Sequence, residues 1–167
     1  MSGQKEPHTP KTSPARPLEE RQRGPAPLSP AVSAQMSRMP RRDSGPELRI
    51  RRLLHARGLR YRVHAALPGR PDIVFTRARL VVFVDGCFWH RCPEHGTMPR
   101  NNAEWWRAKL DRNVARDREK DSQLEDSGWT VLHVWEHEDP AAASDRIQAA
   151  WYEGRRAAGP PTGPERQ

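Results

Sequence analysis

A small mixed β-sheet flanked by helices, an α/β sandwich, is the fold class that the sequence predicts, and three observations predict it. Leu80 to Asp85 is an almost wholly apolar run, as expected of a strand covered on both faces. Trp129 to Trp135 (WTVLHVW) is a second strand-like run. Helix signals stand before, between and after these runs, which gives the order helix, strands, helix, strand, helix.

The first helix begins with Ser44 as N-cap, Pro46 in the first turn and Glu47 three places after the cap. Leu48, Leu53 and Leu54 supply part of its apolar face, and Gly58 stops it. A strand is expected around Tyr61 to Val63. The segment LPGRPDIVFTRARLVVFVDG then parses as a turn at Pro68 to Pro71, a strand from Asp72 to Phe75, a short turn around Thr76 to Arg79, and the strong strand from Leu80 to Asp85. A long helix runs from Asn101 or Asn102 to about Asp126, ended by Gly128, with Trp105, Leu110, Val114 and Leu124 on its inner side. The strand Trp129 to Trp135 follows, and a last helix spans Pro140 to Trp151.

The ends read differently. Residues 1–34 are rich in Pro, Ser, Gly, Arg and Gln and have no period, so they cannot bury enough surface to offset ordering entropy and are expected to be disordered. Residues 154–167 read likewise, which leaves 35–153 as the folded domain.

The chain has 167 residues, a net charge of +8 and a pI near 10.4, with arginine far outnumbering lysine. Such a balance favours a polyanionic partner, because neutralising phosphates releases counterions; a general bias towards arginine would give the same charge without one. No window approaches the ~18 uninterrupted apolar residues of a membrane span. The N-terminus has no apolar stretch of the kind secretion signals carry, so a soluble, cytoplasmic protein is expected. Two cysteines five positions apart in such a chain favour thiols or metal ligands over a disulfide.

Both cysteines lie in VDGCFWHRCPEHG, Val84 to Gly96. Cys87, Cys92 and His95 form C-x4-C-x2-H, a donor set suited to tetrahedral zinc, and His137 after the last strand is a candidate fourth ligand that would make the metal structural. Two ordinary thiols beside a surface histidine are the alternative. Asp72 starts one strand of a hairpin and Asp85 ends the other, so the two carboxylates can approach each other and hold a hard cation such as magnesium; polar strand caps are the alternative. His90 leaves the same strand, and an unperturbed pKa near ~6.5 suits a general base; a surface or zinc-binding histidine is the alternative. Glu47 and Asp117 could approach from the helices as water-holding or histidine-orienting acids, or stand as solvated helix-face acids.

Pro71-Asp72 followed by a second acid after an apolar strand resembles the PD-(D/E)-x-K nuclease pattern, in which the acids bind magnesium and a lysine assists the attacking water. Here Cys87 stands in the lysine's place and cannot do its work, which makes His90 the leading replacement. GRPDIVF, VDGCFWHRCPEHG, NVARDR and GWTVLHVWEH, in this order, closely resemble the very short patch repair (Vsr) DNA mismatch endonucleases over roughly Ser33 to Trp151. The resemblance implies a type II restriction-endonuclease-like fold with a structural zinc site. It also implies recognition of a T·G mismatch formed by deamination of 5-methylcytosine, and magnesium-dependent nicking of the strand beside the thymine.

By the same resemblance Asp72 binds magnesium with the Val84 main-chain carbonyl, His90 is the catalytic histidine, Glu47 is the first-helix acid and Asp117 orients a histidine. Cys87, Cys92, His95 and His137 become the zinc ligands. Asp85 stands where some relatives have a histidine, which leaves its role open. Phe88 and Trp89, joined by Trp106, resemble an aromatic wedge inserted beside the mispair, where aromatic faces replace lost base stacking. SAQMSRMPRRDSGPE lines up as an N-terminal arm, with Met36 or Met39 in the minor groove and Arg38, Arg41 and Arg42 on phosphates; a basic tail giving only electrostatics is the alternative. The partners implied are double-stranded DNA with a T·G mismatch and mismatch-repair proteins of the MutL type, met by a monomer. Two other readings stay open: a zinc-stabilised DNA-binding module without catalysis, and a related nuclease acting on another DNA structure.

Overall fold

A computed structural model describes residues 43–159, together with Ala34. Met36, Met39, Arg38, Arg41 and Arg42 of the expected arm lie outside the described residues. Helix α1 spans Gly45–Ala56, with Pro46 in its first turn. Ser44 occupies the cap position, but its side chain makes no capping hydrogen bond; Glu47 reaches back instead, and its Oε2 accepts the Asp43 N–H at 2.9 Å. Strand β1 (Ile73–Phe75) runs through the 3-10 turn Thr76–Ala78 into strand β2 (Leu80–Asp85), and the two pair antiparallel. Helix α2 (Ala103–Asp126) then carries the chain back, and strand β3 (Thr130–Trp135) pairs with β2 in parallel, from Leu80 opposite Thr130 to Asp85 opposite Trp135. Helix α3 (Pro140–Ala157) closes the domain, capped by the Asp139 carboxylate, which accepts from the N–H groups of Ala141 and Ala142.

The three-stranded sheet, in the order β1-β2-β3, is thus mixed and covered on both sides. Alternation decides which side chain meets which layer. Ile73, Phe75, Leu80, Val82 and Val134 pack with Ile50 and Leu54 of α1 and Ala143 and Ile147 of α3. Val74 and Val81 face the other way, towards Leu124 of α2, with Phe83, Trp129 and Val131 at the margin. Side chains of β2 and β3 that follow Val81 and Val131 by two or four places therefore point at α2, and this face holds Phe83, Asp85 and His133.

Three expectations are corrected. The strand expected at Tyr61 to Val63 shrinks to a single bridge between Arg62 and Val74, because Arg62, Val63 and His64 are exposed and His64 turns the chain with a φ of 54°. Trp105 is not on the inner side of α2: Leu110 and Leu124 are the residues the helix buries, whereas Trp105 is half-buried in a separate aromatic group. The last helix does not stop at Trp151 but continues to Ala157, through Gly154. Gly154 is a contact residue, since a Cβ there would lie 2.2 Å from the Ala78 carbonyl oxygen on the 3-10 turn.

The Gly154 contact gives a prediction whose sign is not obvious. Alanine is the better helix former by about 1 kcal/mol, but crowding a packed backbone contact costs about 1 to 3 kcal/mol. Gly154→Ala should therefore lower the melting temperature. A rise on thermal denaturation would show that α3 does not press on the turn at that point.

Candidate active site

Parallel pairing brings the C-terminal ends of β2 and β3 side by side, and the polar chemistry of the chain gathers there. Asp85 closes β2, Gly86 and Cys87 follow it, and Glu136 and His137 follow β3. Glu136 ties the two exits together: its Oε1 accepts the Cys87 N–H at 2.7 Å, and its own N–H bonds the Asp85 carbonyl at 2.9 Å.

A cleft of about 750 Å³ opens at this end, lined by Glu47, Gly69, Arg70, Asp72, Phe83, Val84, Asp85 and His90. Asp72 precedes β1, and its main-chain N–H bonds the Val82 carbonyl at 3.0 Å. Its carboxylate crosses the hairpin, where Oδ2 accepts the Val84 N–H at 2.8 Å. No hydrogen bond from the described residues engages the other oxygen. Burial pushes the Asp72 carboxyl up to about 6, with the Glu47 and Asp85 carboxylates adding to the rise and the Val84 N–H and Arg51 opposing it. The rise is chiefly the cost of taking a carboxylate out of water, and one oxygen of this buried acid is left facing the cleft without a donor among the described residues.

Arg51 was not anticipated from sequence. One turn after Glu47 on α1, it is buried; its Nη2 donates to Glu47 Oε2 at 3.2 Å and to the Asp72 carbonyl at 3.0 Å, and its Nη1 pairs with Asp43. It therefore fixes α1 against the start of β1. The i, i+4 spacing of an acid and an arginine was the signal that could have found it.

The histidine that faces Asp117 is His90. Its Nδ1 lies 2.8 Å from Asp117 Oδ2 on α2, and 3.7 Å from Asp85 Oδ1. Asp85 in turn holds a histidine absent from the sequence expectations: its Oδ2 is 2.6 Å from His133 Nδ1 on β3, whose Nε2 is 3.2 Å from Asp121 Oδ1 on α2. Hydrogen bonding to Asp85 pushes His133 up to about 9. The available signal was a lone polar residue in the middle of an apolar strand, together with Asp117 and Asp121 spaced one helical turn apart.

Beyond the cleft, Cys87, Cys92, His95 and His137 bring one ligand atom each within 4.8 Å of all the others, and could hold a metal ion. Cys87 Sγ lies 3.0 Å and Cys92 Sγ 3.7 Å from His137 Nδ1. The loop folds tightly: the Cys92 N–H bonds the Cys87 carbonyl, the His95 N–H points at Cys92 Sγ, and a Cβ on Gly96 would sit 2.4 Å from the Cys92 carbonyl oxygen. Burial and the neighbouring Cys92 thiol push Cys87 up to about 11. Two buried sulfurs and two imidazoles at this spacing fit a soft or borderline cation, which would displace the thiol protons. Asp72, Glu47 and Asp85 share the cleft without closing into a comparable set, an arrangement that suits a cation keeping several waters.

The aromatic residues also come together. Phe88 stacks edge-on with Trp89 and with Trp106, at ring separations of 5.0 and 5.4 Å. Trp105 adds a ring 4.9 Å from Trp106, and the Lys109 ammonium lies over three of the tryptophans, closest to Trp105 at 4.8 Å. Asn113 of α2 donates to the Trp89 carbonyl at 3.4 Å, so the group is braced from the helix as well as from the cysteine loop. Among the described residues, no helix is long and apolar enough to cross a membrane.

The carboxyl of Asp72 makes stability depend on pH. The folded state holds its proton more tightly than the unfolded chain, so stability falls as pH rises from about 4 to about 6, and the loss is complete above that. A rise from 3.8 to about 6 corresponds to at most about 3 kcal/mol. Asp72→Asn keeps an oxygen for the Val84 N–H, so in protein free of divalent cations it should raise the melting temperature near pH ~8 and change it little near pH ~4. An unchanged or lower value near pH ~8 would contradict the burial of an uncompensated charge.

Residues 29–94 match the family profile described as DNA mismatch endonuclease Vsr. The type II nicking enzyme V.NaeI of Lentzea aerocolonigenes is 46% identical over 121 residues, which cover 69% of this chain and 73% of that protein. The type II nicking enzyme V.XorIIP of Xanthomonas oryzae pv. oryzae is 43% identical over 106 residues, 62% of this chain and 77% of its own. The DNA mismatch endonuclease Vsr of Escherichia coli (strain K12) is 44% identical over 108 residues, 62% of this chain and 68% of its own. The cleft, the histidine and acid pairs and the cysteine loop lie on the elements that carry the quoted motifs, and with these relatives the conclusion is that the chain belongs to the Vsr DNA mismatch endonuclease family and is a DNA endonuclease.

Proposed function

We propose that the chain is a magnesium-dependent, strand-specific endonuclease that nicks beside the T of a T·G mismatch arising from 5-methylcytosine deamination, and so initiates very short patch repair. The observation that carries this reading is the 2.8 Å contact of His90 Nδ1 with Asp117 on a histidine that lines the same cleft as Asp72. With Asp117 accepting the Nδ1 proton, Nε2 is the basic nitrogen, and it takes a proton from the attacking water. Asp72 and the Val84 carbonyl would hold the magnesium, whose charge, when bound, stabilises the phosphate oxygens and the leaving 3′-oxygen. Arg51 and the Val84 N–H keep Asp72 in place for that duty, and Glu47 adds negative charge from α1. The product is a nick with a 5′-phosphate.

The second metal would be zinc, held by Cys87, Cys92, His95 and His137 and without a part in the chemistry. Its work is mechanical: Phe88, Trp89 and His90 sit between Cys87 and Cys92, so a cation closing that loop stiffens both the aromatic group and the base. Phe88, Trp89 and Trp106 enter the duplex next to the mispair, where unstacking is cheaper than in paired DNA. In the N-terminal arm, Met36 or Met39 enters the minor groove while Arg38, Arg41 and Arg42 meet phosphates, and the protein acts as a monomer, with mismatch-repair proteins of the MutL type as partners.

A strand-labelled panel of T·G and fully paired duplexes tests the proposal. Magnesium should be required for a single cut beside the thymine. His90→Ala should lose about 10²- to 10⁴-fold in nicking rate while mismatch binding survives. Cutting of both strands, equal cutting of paired DNA, or an active His90→Ala would each overturn a stated part. Metal analysis of purified protein should find zinc, and Cys92→Ser should lose both the zinc and several degrees of melting temperature; a variant that keeps its stability would remove the structural role.

A further inference from the structure

Two carboxylates converge on one nitrogen of His90, and only one of them can accept its proton. Asp117 Oδ2 stands at 2.8 Å and Asp85 Oδ1 at 3.7 Å, both measured to Nδ1. Asp85 is 6% exposed, and among the described residues the one hydrogen-bond partner of its carboxylate is His133. Released from that bond, a buried carboxylate would seek another donor, and the His90 ring nitrogen already stands 3.7 Å from its Oδ1.

His133 is equipped to prevent this. Its ring stacks on Phe83 at a centroid distance of 5.1 Å and an interplanar angle of 16°, which fixes its plane. Both ring nitrogens face carboxylates, Asp85 at 2.6 Å from β2 and Asp121 at 3.2 Å from α2, so both donate and the ring carries a positive charge. Arg146 of α3 bonds the His133 main-chain carbonyl rather than the ring. Asp121 stands one turn beyond Asp117 on α2. One rigid helix thus spaces two acids, each pinning a histidine, and Asp85 links the pair.

We propose that His133, anchored by Asp121, is a positioning residue for DNA cleavage: it holds Asp85 off the His90 nitrogen, so that His90 stays paired with Asp117. The inference rests on the reading of His90 as the base. It also gives the buried aspartate at position 85 a partner, since its carboxylate and the His133 ring lie 2.6 Å apart.

Single-turnover nicking of a T·G duplex tests it, with binding of the same duplex and thermal denaturation measured beside it. His133→Leu removes both donors; His133→Asn keeps a donor where Nδ1 stood, facing Asp85. We expect His133→Leu to nick about 10- to 100-fold more slowly with unchanged DNA affinity, and His133→Asn to recover most of the rate. A merely structural histidine would lose rate and melting temperature together, with no recovery by asparagine. If His133→Leu does not fold, a folded, DNA-binding His133→Asn that still nicks supports the proposal, and one that has lost nicking overturns it. Wild-type rates in folded His133→Leu overturn it as well. With His90→Ala run alongside, an active His90→Ala would fail the base itself, whereas an inactive His90→Ala beside an unaffected His133→Leu would fail the positioning role alone.

Discussion

The parallel pairing of β2 with β3 is the constraint on which the rest depends. Strands joined in parallel need a long crossover, and here it is α2, whose 24 residues return the chain to the start of the sheet. Both strands therefore end at the same edge of the molecule. Residues near and beyond their ends fall side by side: Cys87 beside His137, Asp85 beside the Glu136 amide, His133 beside the Asp85 carboxylate. The crossover helix then lies over one face of that edge and delivers Asp117 and Asp121 to histidines from two other segments.

This arrangement concentrates charge where a packed sheet would place apolar side chains. Asp72 keeps its proton more tightly than a solvated carboxyl, Arg51 and Asp85 are buried, and His133 is charged between two acids. Such groups cost folding free energy unless each is paired. The pairing is nearly complete on the Arg51 and His133 sides and incomplete at Asp72, so the deficit of positive charge lies where the proposed magnesium would bind. Stability is given up at the position where the proposed chemistry would need an unneutralised oxygen.

The order of elements and most boundaries were legible because local signals and tertiary demands agree. The apolar run Leu80 to Asp85 is β2, and Gly128 follows the end of α2. Less was legible where the cause was non-local. Gly154 reads as the start of a polar tail, but its role is set by the carbonyl of Ala78, far away in sequence. Trp105 has the spacing of a core residue, yet the rings of Trp106 and the charge of Lys109 draw it to a different group. At the site, the grouping of Asp72, Asp85 and His90 in one cleft and the pairing of His90 with Asp117 follow motifs. Arg51, His133 and Asp121 escaped because each is polar for the sake of a partner on another element, and one sequence does not display such partnerships.

The central claim is that one sheet edge carries two distinct cation sites, a hard one at Asp72 and a soft one at the cysteine loop. Anomalous diffraction from a crystal of the protein with duplex DNA and manganese in place of magnesium would test it directly. The account predicts a manganese peak in the cleft against Asp72 and the Val84 carbonyl, on the side open to His90, and a separate zinc peak among Cys87, Cys92, His95 and His137. Manganese bound away from Asp72, or one metal shared between the cleft and the cysteine loop, would contradict it.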